Sequence, residues 1–160
     1  MTADKRKLFA GPKIVIAGMS RRLEAAWDST GLALGVQVFA ASKIQVDPFY
    51  LLALLNSKLL SYLFATRFAA KRLAGGYLAI NKGQLAKLPI VVGTGAPTKC
   101  VGVPSFERRL AELARSLTEQ ARRQPHEDEA DKLIYQLYRL TGAEIARVEA
   151  HFSEQLTRAA

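Results

Sequence analysis

Cysteine is almost absent from this 160-residue chain. With Cys100 alone, no intramolecular disulfide can form, and no set of thiolates is available for a structural zinc site. Because disulfides mark oxidising compartments, this absence favours a reducing one, and we expect a cytoplasmic protein. Cys100 has no histidine nearby in the sequence, so a neutral structural thiol is a better interpretation than a nucleophile.

Long uninterrupted apolar runs are also absent. The most apolar stretch, from Phe49 to Phe68, is interrupted by Asn56, Ser57 and Lys58, well short of the roughly 20 residues that a bilayer-spanning helix needs. The first residues are basic, yet no apolar segment of the signal-peptide type follows them. The sequence therefore predicts neither a membrane span nor a secretory signal.

Motifs that carry known catalytic chemistry are missing as well. The sequence contains no Gly-rich phosphate loop, no pair of histidines at metal-binding spacing and no Gly-x-Ser-x-Gly elbow. The two histidines, His126 and His151, stand in a polar part of the chain without a spacing that suggests a ligand or a base. We therefore expect no catalysis, no metal and no cofactor in this chain.

Carboxylates are missing from the middle of the chain, where no Asp or Glu occurs between Asp47 and Glu107. The formal net charge of +9 lies in residues 1–87, which hold 13 Lys and Arg against 4 Asp and Glu, whereas residues 88–160 hold 10 of each. Cations without nearby carboxylates favour a polyanionic partner such as nucleic acid. The simpler alternative is a cationic surface that only keeps the protein in solution.

The hydrophobic pattern indicates an α+β fold. Short β-branched or alternating runs predict strands at 14–16, 23–27 and 36–40, joined as a meander, and further strands at 77–80 and 90–92. Asp47-Pro48 predicts the start of one deeply buried helix that runs from Phe49 to Phe68. We expect a mixed, twisted β-sheet with this helix over residues 1–92, a connecting loop over 93–104 and a helical tail over 105–160.

The tail has helical periodicity throughout. Ser105 is the predicted cap of its first helix and Pro125 the predicted end, while Thr141 and Glu144 have the spacing of a capping box for the last helix. The apolar residues of each helix fall on one stripe, which indicates packing in a hairpin or a small bundle.

Residues suited to binding DNA cluster at two breaks in the strand pattern, one after the first strand and one around Gly75-Gly76-Tyr77. Arg and Lys can donate to guanine, and the amides of Asn81 and Gln84 match the edge of adenine. A helix cap is an equally good interpretation of Asn81. The aromatic rings of Tyr77 and Trp27 could stack on bases, although core positions are the simpler interpretation. The predicted DNA contacts are Arg21, Arg22, Lys71, Arg72, Asn81, Lys82 and Gln84.

Five segments resemble the TaqI-like C-terminal specificity domain, which is the target recognition domain of N6-adenine DNA methyltransferases and of type IIG restriction-modification enzymes. The segments are residues 12–16, 20–22, 35–39, 50–58 and 75–90. The most specific are Leu-Leu-Asn-Ser-Lys at 54–58 and the run from Gly-Gly-Tyr to Leu-Pro-Ile at 75–90. Residues 131–145 are similar to the C-terminal end of such enzymes, with Arg139 where the family would have Gly.

The resemblance implies a recognition domain whose loops enter the groove of double-stranded DNA and whose helical segment docks on a methyltransferase catalytic domain or subunit. The Asn/Asp-Pro-Pro-Tyr/Phe motif of the family is absent from this sequence, as is an S-adenosylmethionine loop. Methyl transfer and S-adenosylmethionine are therefore expected in that partner, and this chain would be a fragment or a separate subunit. The alternative is a protein-interaction or assembly module, in which the apolar stripes of the tail dock on another chain and the basic face is incidental.

Overall fold

A computed structural model describes residues 10–68, 73–92, 103–119 and 124–157. The chain begins with strands β1 (Lys13–Ala17), β2 (Met19–Ser20), β3 (Ala25–Asp28) and β4 (Val38–Ala41), followed by helices α1 (Pro48–Asn56) and α2 (Lys58–Arg67). A 3-10 turn at Ala74–Gly76 leads into strand β5 (Leu78–Ala79) and helices α3 (Lys82–Leu85), α4 (Val103–Glu119), α5 (Gln124–Leu137) and α6 (Gly142–Thr157). The predicted α+β class is confirmed, whereas the domain boundaries stay predictions.

The strands form two small antiparallel sheets. In the first, β1 lies between β3 and β4, and in the second β2 pairs with β5. The predicted meander is wrong, because the first strand lies at the centre of its sheet and the segment from β3 to β4 crosses over it. The predicted strand at 90–92 is also wrong. The hydroxyl of Tyr50 donates to the carbonyl of Val91 over 2.6 Å, so a helix side chain takes the place of a neighbouring strand there.

The predicted helix from Phe49 to Phe68 is divided at Ser57 into α1 and α2, which meet at a bend of 59°. The Ser57 hydroxyl donates to the carbonyl of Leu54 over 2.7 Å and accepts from the amide of Leu60 over 3.1 Å. One side chain thus satisfies the end of α1 and the start of α2. Asp47 caps α1 as predicted, accepting from the amide of Phe49 over 2.8 Å.

Among the described residues, no single helix is long and apolar enough to cross a bilayer. The bent pair α1 and α2 reaches the required length and composition only when its two helices are counted together.

One hydrophobic core joins the strands, α1 and α2 to the helices of the tail. Side chains from all of these elements are buried in it, among them Ile14, Leu54, Leu60, Phe64, Leu110, Ile134 and Val148. Helix α4 packs along α1, and α6 packs against α2. The most buried apolar residues of the tail are therefore covered within the chain itself, while others, such as Leu133 and Leu137, are partly buried against the same core.

The ends of the tail helices follow the predictions in part. Helix α4 begins at Val103, ahead of Ser105, and Pro125 lies in the first turn of α5 instead of ending α4. The capping box of α6 is confirmed, because the amide of Thr141 donates to Glu144 over 2.8 Å and the amide of Glu144 donates back over 3.4 Å. Arg139 has a φ of 54° just beyond α5, which is where helix ends favour Gly.

A buried ion pair anchors the start of the segment from Ser29 to Gln37, here called the β3–β4 loop. Lys13 is fully buried and pairs with Asp28, the residue opposite it in the β1–β3 ladder. The Asp28 carboxylate also accepts from the amide of Thr30 over 2.8 Å and from the amide of Leu32 over 3.0 Å. The hydrogen bond from Lys13 is the main cause that brings the pKa of Asp28 far below its ordinary value, although burial acts in the opposite direction.

Candidate nucleic-acid interface

The candidate interface is built around Gly18, where the chain leaves the first sheet and enters the second. The Gly18 amide donates to the carbonyl of Gln37 over 2.7 Å, and the Gly18 carbonyl accepts from the amide of Ile80 over 2.9 Å. Gln37 is the last residue of the β3–β4 loop, and Ile80 precedes α3. Three segments that are far apart in the sequence therefore meet at one glycine.

The β2–β5 ladder turns alternate side chains outward. Ser20 pairs with Leu78 and both are buried, whereas Met19, one residue earlier, is exposed. Extending the register by one pair places Arg21 opposite Tyr77, and the Arg21 guanidinium carbon lies 5.6 Å from the centre of the Tyr77 ring. The exposed side of this ladder and the start of α3 are called the β2–β5 face, which is formed by Met19, Arg21, Tyr77, Asn81 and Lys82.

The two aromatic candidates have different environments. Tyr77 is 39% exposed and follows two glycines, Gly75 and Gly76, whose φ angles of 76° and 77° form the preceding turn. A core position is therefore the wrong interpretation for Tyr77. For Trp27 it is the right one, because its ring packs 5.4 Å from that of Phe49 against the core.

The amides of Asn81 and Gln84 form a capping box at the start of α3. The Asn81 side chain accepts from the amide of Gln84 over 3.0 Å, and the Gln84 side chain accepts from the amide of Asn81 over 3.1 Å. The predicted cap role of Asn81 is thus confirmed. Gln84 is only 5% exposed, and its Nε2 has no hydrogen-bond partner among the described residues. A buried Gln84 does not reach a DNA groove while this cap is formed.

The cations of residues 1–87 that the structure describes fall into two groups according to their partners. Arg22 and Lys58 face the tail, where the Arg22 Nη2 atom lies 3.8 Å from Glu127 and the Lys58 Nζ atom lies 3.0 Å from Glu149. By contrast, no carboxylate of the described residues lies within salt-bridge distance of Arg21, Lys82 or Lys87, which are all exposed.

The expectation that the cations between Asp47 and Glu107 have no carboxylates nearby is therefore wrong for Lys58. Glu127 also cancels part of the charge of Arg22. The predicted contacts Lys71 and Arg72 lie outside the described residues.

A charged junction formed by Lys58, Asp128, Asp131 and Glu149 attaches the tail to the core. The Lys58 Nζ atom lies 3.6 Å from Asp128 and 3.9 Å from Asp131, and the Asp131 carboxylate accepts from the backbone amide of Lys58 over 2.9 Å. A tail residue thus helps to cap α2. Burial is the main cause that raises the pKa of Asp131 to about 6, against the lowering effect of Lys58. Burial would lower the pKa of Lys58, but the carboxylates around it raise it.

The buried Asp131 predicts a pH-dependent stability. Its pKa of about 6 in the folded chain lies above the value of 3.8 for an ordinary Asp. Between these values the folded state binds more protons than the unfolded state, so this group makes the fold less stable as the pH rises from about 4 to about 6. Asparagine at this position keeps an oxygen for the Lys58 amide but does not titrate. We expect Asp131→Asn to gain about 2 kcal/mol over the wild type in the free energy of unfolding between about pH 4 and pH 7, measured by urea titration.

The exposed Asp128 provides the control for this measurement. Asp128→Asn lies beside the same lysine but should not produce this gain, because its carboxylate is exposed to water in the folded chain. If Asp131→Asn follows the wild-type pH dependence throughout, Asp131 does not titrate in this range.

Comparison with known proteins bears on residues 1–90 of the chain. No group of three or more His, Cys, Asp or Glu in the described part of the chain is placed to hold a metal ion. No curated protein matches the chain. A family model, described as the TaqI-like C-terminal specificity domain, matches residues 1–90, more than half of the chain and all of the β2–β5 face. Domains of this family give specificity to restriction-modification enzymes and are not the catalytic parts. This chain belongs to the family of TaqI-like C-terminal specificity domains.

Proposed function

We propose that this chain selects the target sequence in double-stranded DNA for an N6-adenine DNA methyltransferase, and that the β2–β5 face is the surface that meets the duplex. Membership of a family of specificity domains supports the first part. Methyl transfer, S-adenosylmethionine binding and flipping of the target adenine belong in this proposal to a separate catalytic domain or subunit. The helical tail, held against the core by the charged junction, is the part proposed to dock on that partner, through its exposed face and not through the apolar residues that pack on the core.

The observation that carries the proposal is the pairing of Arg21 with Tyr77 on a face without carboxylates. The Arg21 guanidinium lies over an exposed aromatic ring, and Lys82 follows on the same face at the start of α3. A guanidinium can bind guanine or phosphate through two donors, and an ammonium binds phosphate. Because nearby carboxylates do not cancel these charges, their field is available to an external polyanion.

Of the other predicted DNA contacts, some are kept in the proposal and others are given no contact with a base. Lys71 and Arg72 stay proposed DNA contacts, since the family match includes them. Arg22 and Gln84 are given no base contact, because Arg22 faces Glu127 and Gln84 is buried. Asn81 is exposed, but its side-chain oxygen is already used as a cap, so its free amide group is the part that can reach a base.

The alternative function as an assembly module lacks support in the tail. That alternative requires the apolar stripes of the tail to dock on another chain. In the folded chain Leu110, Leu113 and Ile134 are each at most 4% exposed, because they pack on the core. These residues are not available to a partner.

The salt dependence of DNA binding tests the proposal. If about six phosphates are neutralised, the slope of log affinity against log salt concentration should lie near −5 for the wild type. Combining Arg21→Ala with Lys82→Ala removes two contacts and should bring the slope to about −3.5. Fluorescence anisotropy with a labelled duplex of mixed sequence measures both slopes between about 50 and 200 mM salt.

The matched control combines Arg108→Ala with Lys132→Ala, which removes the same two residue types from exposed positions on α4 and α5. Its slope should equal that of the wild type. A flat salt response of the wild type, or equal losses in the two double variants, would remove the β2–β5 face from consideration as the DNA-binding surface.

A further inference from the structure

Gln37, a residue that the sequence placed inside a strand, has a strained backbone. Its φ of 60° lies in the left-handed region, which residues other than Gly, Asn and Asp rarely adopt. Such residues persist only where the surrounding structure holds them, and they cluster at functional sites. Here the Gly18 amide holds the Gln37 carbonyl over 2.7 Å, and Asp28 fixes the other end of the β3–β4 loop.

The C-terminal end of this loop, formed by Val36 and Gln37 and here called the loop tip, contributes little to the packing of the chain. Val36 is 93% exposed, and the Gln37 side chain is exposed as well. The whole β3–β4 loop, residues 29–37, contains no charged residue. A strained backbone that holds an exposed glutamine amide beside an exposed valine adds little to stability. The same arrangement, on an uncharged loop, is well suited to reading the edges of bases.

The loop tip lies at the border of the β2–β5 face. Gln37 and Ile80 are hydrogen-bonded to the amide and the carbonyl of the same residue, Gly18, and neighbouring extended segments lie about 5 Å apart. The backbones at Gln37 and Ile80 therefore lie within about 10 Å of each other, a distance that spans about three base pairs along a duplex. Met19, the first residue of the face, directly follows Gly18.

We propose that Gln37 determines sequence specificity by reading an adenine, and that Val36 contacts the methyl group of a thymine at the same or a neighbouring pair. A glutamine amide offers the donor and the acceptor that match adenine in the major groove, and an apolar side chain suits the thymine methyl group. The inference rests on the proposed function and assigns affinity and sequence specificity to different residues. Arg21 and Lys82 provide affinity through charge, whereas the uncharged loop tip provides discrimination.

Gln37→Gly tests this role without endangering the fold. Glycine adopts positive φ at no steric cost, so this variant should melt at or above the temperature of the wild type. The full chain is used to enrich sequences from a pool of duplexes with a randomised centre. We expect the wild type to enrich a motif containing an A·T pair for which Gln37→Gly loses about tenfold in preference, while its affinity for the unselected pool changes less than about threefold. Gln136→Ala, which removes an exposed glutamine from α5, should enrich the wild-type motif.

The outcomes separate this inference from the proposed function. If Gln37→Gly enriches the same motif as the wild type with the same preference, the role of Gln37 is refuted and the DNA-binding face stands. If the wild type retains duplex but enriches no sequence, Gln37 reads no base and the inference is refuted. If the wild type retains no duplex at all, the proposed function fails and the inference fails with it.

Discussion

Replacing Gly18 by alanine is expected to lower the melting temperature by about 10 °C. A Cβ atom at this position would lie 2.4 Å from the carbonyl oxygen of Gln37 and 2.9 Å from its carbonyl carbon. Both are backbone atoms, so no side chain can rotate away. The strands must separate, and the overlap together with weakened hydrogen bonds to Gln37 and Ile80 should cost about 3 kcal/mol. Thermal unfolding followed by circular dichroism measures the change.

Gly35→Ala is the matched control, because nothing lies within 4 Å of a Cβ at Gly35. It should change stability by less than about 0.5 kcal/mol. Because Gly18 also joins the loop tip to the β2–β5 face, Gly18→Ala should weaken DNA binding in conditions where it is still folded. A Gly18→Ala variant that melts like the wild type would show that the contact between these segments is looser than described.

Lys13→Met should produce the second large loss, also about 10 °C in melting temperature at neutral pH. Lys13 is fully buried, and the Asp28 carboxylate beside it is 5% exposed. Methionine fills the space of the lysine stem but leaves a buried carboxylate without its counter-charge. The three donors from Thr30 and Leu32 remain, but they carry no net charge to balance it.

The double variant Lys13→Met with Asp28→Asn distinguishes loss of charge balance from loss of packing. The asparagine side chain would keep an oxygen for the loop donors and would carry no charge, so the double variant should recover most of the lost melting temperature. If it melts as low as Lys13→Met alone, the stranded carboxylate is not the cause.

Local rules in the sequence were sufficient to predict several helix ends. Asp47 and Pro48 start α1, and Thr141 with Glu144 starts α6, because a cap depends only on residues three or four positions apart. The division at Ser57 was missed, because the polar interruption at Asn56, Ser57 and Lys58 is equally compatible with one continuous helix. Only the structure reveals that the Ser57 hydroxyl bonds to the backbone on both sides. The meander was wrong because β4 pairs with β1 and not with its neighbour in the sequence, β3. The second sheet is non-local as well, because β2 pairs with a strand almost sixty residues later.

The candidate site was predictable in composition but not in arrangement. Arg21 and Arg22 are adjacent in the sequence, yet Arg21 lies over Tyr77 whereas Arg22 faces Glu127. A charge count treats these neighbours as equal, and it also counts Lys58, whose partners come from residues 128–149. The strain at Gln37 has no signal in the sequence, since the alternating run from Val36 to Ala40 indicates an ordinary strand.

The most direct test of the central claim, that the β2–β5 face binds duplex DNA, is a titration of the isotope-labelled chain with a duplex, followed by backbone amide NMR. We expect the resonances of Met19 to Arg21, Val36 to Gln37 and Tyr77 to Lys82 to shift, while those of α5 and α6 stay unchanged. Shifts concentrated in α5 and α6, or no shifts with duplex in excess, would contradict the claim.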